Sequence, residues 1–143
     1  MTLLELYDMA EQNHVEVDAF DLGEREALSL MDEGGQCYIA IDPFKLQSSI
    51  DEKQKLTHEL GHCVQGAFYN PYSTHDIVAR HEKRADKWAI KKLVPQNELE
   101  RAVKQGYIEI YDLAEYFDVT EDFMRKAVCW YKYGSLDTEY YFS

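Results

Sequence analysis

A chain of 143 residues with 45% hydrophobic content is long enough for one domain with its own core, and its composition argues against disorder. The formal charge of -12 and isoelectric point near 4.7 argue against a nucleic-acid backbone or an anionic membrane as the main partner, because both attract cationic surfaces. A basic partner would suit the charge better.

The start, MTLLELYDMAEQ, has Glu5 and Asp8 where a signal peptide would carry basic and then unbroken apolar residues, and no stretch reaches the length of a membrane span. Cys37, Cys63 and Cys129 form neither a C-x-x-C pair nor an even framework. The expectation is a soluble cytoplasmic protein with three free thiols.

Leu3, Leu6, Tyr7 and Ala10 recur at helical spacing, so residues 2–13 predict an amphipathic helix with Thr2 as cap and Glu5 completing a capping box. Alternation of Val15, Val17 and Ala19 with Glu16, Asp18 and Phe20 predicts a strand within 14–22, with His14 at its end. Apolar runs on either side of Asp32-Glu33-Gly34-Gly35 predict a β-hairpin whose second strand covers 37–41. Pro43 stops that ladder, and Ser48 or Ser49 is placed to cap the helix that follows.

That helix carries the motif H-E-L-G-H at 58–62. Residues four apart on a helix differ by about 40° around the axis and roughly 6 Å along it, so His58 and His62 can converge on one ion. Glu59, about 100° round from His58, stands beside such an ion, where it can act as a general base on water. With 5 His in the chain, chance alone would produce H-E-x-x-H roughly two times in a hundred, so the rest of the site has to decide. Leu56, Leu60, Cys63 and Ala67 mark the opposite, apolar face, which makes Cys63 a packed thiol instead of a nucleophile.

Turn chemistry over 69–76 leads to a second helix over 77–94, ended by Pro95. A catalytic zinc ion usually takes three protein ligands, and Glu82 is the leading candidate for the third, with His81 and His75 as rivals. Ala85 and Ala89 share its face and would allow close approach of the first helix. Asp86, one turn on, could accept the remaining N–H of a ligating histidine.

Short helices follow at 96–105, 109–117 and 121–131, with a loose acidic and aromatic tail at 132–143. Ala114, Phe117, Val119, Thr120, Met124 and Val128 resemble a helix-turn-helix pair, yet the second helix opens with Glu121 and Asp122. Carboxylates there suit the helix dipole and oppose a DNA groove, so the pair reads as structural or protein-docking.

H-E-L-G-H at 58–62, then E-x-x-A-D-x-x-A at 82–89 and Leu93-Val94-Pro95, resembles the ImmA/IrrE family of metallopeptidases. The resemblance implies an α+β, zincin-like minimal metallopeptidase domain over 1–106. A small antiparallel sheet and a C-terminal helical, helix-turn-helix-like pair over 107–131 go with it. It also implies a Zn2+ cofactor held by His58, His62 and Glu82, and Glu59 as catalytic base. The substrate class it implies is a helix-turn-helix repressor of a phage or mobile element.

Strand 37–41 is expected at an exposed edge where a substrate strand could add. Tyr72, His75 and His81 are candidate oxyanion stabilisers. The alternative function is a noncatalytic module that keeps the fold and controls a transcription regulator by contact.

Overall fold

The computed structural model describes residues 1–66 and 72–142, with backbone alone at 141 and 142. Ala67 of the expected apolar stripe and residues 69–71 of the expected turn lie outside the described residues. Seven helices and a three-stranded sheet are described, an α+β composition. Compactness divides the chain into two units, Met1–Ala89 and Ile90–Ser143, with the boundary inside a helix.

The first unit opens with α1 (Leu3–Gln12). Its first turn is closed reciprocally: Glu5 N–H donates to Thr2 Oγ1 at 3.2 Å, and Thr2 N–H donates to the Glu5 carboxylate at 3.3 Å. Leu6 and Ala10 are its buried residues. His14, exposed and with φ of 58°, turns the chain out of α1 toward strand β1 (Glu16–Ala19).

Strands β2 (Ala27–Met31) and β3 (Cys37–Ile41) form the expected hairpin. Asp32 Oδ1 accepts from Gly34 N–H and Gln36 N–H, both at 2.9 Å, and Gly35 supplies the positive φ of the turn. The strand order is β1-β3-β2, with β1 parallel and β2 antiparallel to β3.

Two expectations are corrected here. The sheet is mixed, not antiparallel, and β3 is its central strand, not an edge. The physical reason is a non-local pairing: Val17 stands opposite Ile39 on one side of β3 and Ser29 on the other. A central strand suits the alternating burial of Cys37, Ile39 and Ile41.

Just beyond β3, buried Asp42 accepts from the backbone N–H groups of Leu22 and Phe44, each at 3.1 Å, and from Lys45 Nζ at 2.8 Å. The Lys45 hydrogen bond first, then the Leu22 N–H, hold its carboxyl below the usual carboxylate range. The chain leaving the sheet is thereby fixed before α2 (Ser49–Gln65) begins.

Ser48 caps α2 by accepting from Asp51 N–H at 3.1 Å, and Asp51 and Glu52 match the dipole at that end. Leu56 and Leu60 are fully buried, and α2 packs against α1, β2 and β3. Gly66, with φ of 62°, ends the helix. Helix α3 (His75–Leu93) starts two residues before the expected position, and Thr74 Oγ1 accepts from Ile77 N–H at 3.3 Å.

The second unit holds the last turn of α3, then α4 (Gln96–Lys104), α5 (Ile110–Phe117), α6 (Glu121–Tyr133) and α7 (Thr138–Phe142). Leu113, Ala114, Phe117, Met124 and Ala127 are buried along α5 and α6. Asp118 adopts the left-handed conformation itself, φ 55°, where a turn glycine is usual. Thr120 Oγ1 caps α6 through Phe123 N–H at 3.2 Å.

Of the expected loose tail at 132–143, the described residues 132–142 are largely helical. Helix α6 continues to Tyr133 before Gly134 stops it, and α7 follows; Asp137 Oδ1 accepts from Tyr140 N–H at 3.1 Å at the start of α7. Among the described residues no helix is long and apolar enough to cross a membrane.

Candidate metal centre

Helix α2 presents His58 and His62 on successive turns, with ring centroids 5.0 Å apart and the rings nearly perpendicular. Helix α3 presents Glu82 to both. One carboxylate oxygen lies 2.8 Å from His58 Nε2 and the other 3.2 Å from His62 Nε2. One turn further along α3, Asp86 Oδ1 lies 2.9 Å from His58 Nδ1. His62 is only 3% exposed, while His58, Glu82 and Asp86 are half-buried.

The ligand atoms of His58, His62 and Glu82 all lie within 4.8 Å of one another, so this group could hold a metal ion. Two imidazole nitrogens and a carboxylate oxygen form a donor set suited to an ion of the zinc type. The Asp86 contact suits it too, since a proton kept on His58 Nδ1 leaves Nε2 as the ligating atom.

Without a metal the same geometry holds a proton. Burial by itself would lower the His58 pKa, but hydrogen bonds to Asp86 and Glu82 outweigh it, with the charges of Asp86 and Glu59 adding to them. The net result is a rise to about 10.

Close approach of α2 and α3 depends on a residue to which the sequence reading assigned no role. A Cβ built on buried Gly61 would stand 3.2 Å from both the Cα and the carbonyl oxygen of Ala85, and 3.4 Å from Trp88 Cβ. Ala85 and Ala89, expected to allow that approach, are buried. A signal existed in the sequence: glycine inside a helix costs about 1 kcal/mol relative to alanine, and this one lies between two candidate ligands.

The expectation of three free thiols is corrected. Cys37 and Cys63 are joined by a disulfide, with Cα atoms 5.9 Å apart, and Cys129 is the free, buried cysteine. Cys63 does lie on the sheet-facing side of α2, as its spacing from Leu56 and Leu60 predicts, but it meets the first residue of β3 there. A separation of 26 residues hid the partner from any local pattern.

Glu59 is half-buried beside His58, close enough for its charge to raise that histidine's pKa. Tyr72, 95% exposed, precedes α3, and His75 is the exposed first residue of that helix. His81 is half-buried beside a cavity lined by Ile77, Arg80 and Arg84, on a face of α3 turned well away from Glu82. Neither histidine belongs to the group of His58, His62 and Glu82.

Comparison of the chain with protein-family models finds no match, and comparison with curated proteins finds none. The functional reading therefore rests on the site's own chemistry and on the resemblance carried by residues 58–62 and 82–95.

Proposed function

We propose that this chain is a zinc-dependent endopeptidase of the ImmA/IrrE kind, with a zincin-like site, hydrolysing a peptide bond in a helix-turn-helix repressor. The observation that carries the reading is the convergence of His58, His62 and Glu82 on one point, with Glu59 beside His58. His58 Nε2, His62 Nε2 and a Glu82 carboxylate oxygen would hold the ion. When bound, zinc supplies a Lewis acid that eases deprotonation of water and polarises a carbonyl.

The chain's own residues do the rest. Asp86 keeps the proton on His58 Nδ1 and so fixes the ring for ligation. The Glu59 carboxylate takes a proton from the attacking water and delivers it to the nitrogen of the leaving amine. Because β3 is central, an added substrate strand belongs at β2, which is paired on one side only and lies against α2.

One observation favours a second reading, a noncatalytic module that controls a regulator by contact. Glu82 and Asp86 already join α3 to His58 and His62 through hydrogen bonds and ion pairs, which can tie the two helices together without turnover. Glu59→Gln separates the two. Under the peptidase reading the variant binds zinc as the parent does and no longer cleaves a repressor encoded beside it, as read by mass spectrometry of the products. Equal cleavage by parent and variant would sink the role of Glu59, and binding of the repressor without cleavage by either would favour the second reading.

A further inference from the structure

The bridge between Cys37 and Cys63 takes no part in the proposed chemistry, yet it is covalently next to it. Cys63 directly follows His62, and its partner is the buried first residue of the central strand. The end turn of a helix opens before its middle in local unfolding, and on α2 the Gly66 N–H, donating to the carbonyls of His62 and Cys63, closes it. On α2 that end turn contains His62 and Cys63, and Val64, Gln65 and Gly66 beyond them are exposed. His58 lies one turn further inside the helix and is bonded to Asp86. The bridge therefore anchors the one turn of α2 that carries a candidate ligand and also borders solvent-exposed residues.

The two cysteines also differ in exposure. Cys37 is 6% exposed, whereas Cys63 is half-buried. Cys129 is fully buried in the second unit and is not a competing surface thiol.

We propose that Cys37 and Cys63 form a reversible dithiol–disulfide pair that sets the metal affinity of the His58, His62 and Glu82 centre, with a low-molecular-weight thiol as its reductant. The sulfur of one thiol molecule attacks Cys63 Sγ, the bridge breaks, and Cys37 leaves with its electron pair and takes up a proton. A second thiol molecule attacks the mixed disulfide, releasing Cys63 as a thiol and forming the small-molecule disulfide. In total, two thiols are oxidised to one disulfide, and the protein gains two electrons and two protons. Reoxidation is the same exchange run backwards with the small-molecule disulfide. The oxidised form holds His62 in register with His58, and the reduced form lets the last turn of α2 open.

This proposal rests on the metal-centre reading and does not require peptidase activity. The test equilibrates the full chain in buffers of varied ratio of reduced to oxidised glutathione and counts thiols by alkylation and mass spectrometry. The thiol buffer is then removed anaerobically, because thiols bind zinc, and the zinc Kd is measured by competition with a chromophoric chelator. Cys37 and Cys63 should become alkylatable together while Cys129 does not change, and the reduced form should bind zinc roughly tenfold more weakly. Cys37→Ser should match the reduced form in every buffer.

Equal Kd values in the two redox states, or a bridge that stays closed across the whole buffer series, would overturn the proposal. Absence of zinc binding in both states would instead overturn the metal-centre reading beneath it. The comparison of the two states of the parent protein does not depend on the variant folding.

Discussion

Asp86 Oδ1 accepts a hydrogen bond from His58 Nδ1 at 2.9 Å, one turn beyond Glu82 on α3. That contact keeps a proton on Nδ1 and leaves Nε2 facing Glu82. Removing it leaves the donor set of His58, His62 and Glu82 in place but lets the His58 ring rotate and change tautomer. Asp86→Ala should therefore weaken zinc binding by roughly tenfold to a hundredfold with one ion still bound per chain. Chelator competition measures this, and an unchanged Kd would remove Asp86 from the site.

His58 predicts a pH dependence in the metal-free protein. Its folded pKa, about 10, lies above its ordinary 6.5, so protonated His58 contributes stability that is fully present below about pH 6.5. That contribution is lost as pH rises through 10. Denaturant unfolding in the presence of a chelator should show stability falling between these values, and His58→Gln should flatten the fall. The ring resonances of His58 in NMR should titrate in the same alkaline window.

Gly61→Ala tests the contact between α2 and α3. Alanine is the better helix former by about 1 kcal/mol, but its Cβ would meet backbone atoms of Ala85, which cannot rotate aside. Overpacking of this kind costs about 1–3 kcal/mol, so the net expectation is a loss of about 1 kcal/mol together with weaker metal binding. A more stable variant with parental zinc affinity would show that the two helices are free to separate.

The parts of the fold legible in the sequence are those specified by neighbours. Thr2 with Glu5 marks a helix start within three residues, Ser48 is one of two serines placed to cap α2, and Asp32 to Gly35 mark one tight turn. The cluster of His58, His62 and Glu82 was legible for a related reason. One half is an i to i+4 pair, and the other half follows from the small residues Ala85 and Ala89 that share a helix face with Glu82.

What the sequence left hidden is non-local. Pairing of Val17 with Ile39 makes β3 central, and the Cys37–Cys63 bridge spans 26 residues with no C-x-x-C spacing to announce it. Helix α7 was missed because a five-residue helix has too few positions to show a period.

Calorimetric titration of the chelator-treated protein with Zn2+ tests whether α2 and α3 together hold one metal ion. The expected result is one zinc per chain, with binding lost or weakened at least a hundredfold in His58→Ala, His62→Ala and Glu82→Ala, each checked for retained fold by circular dichroism. A parent protein that binds no zinc, or three folded variants that bind it as tightly as the parent, would contradict the account.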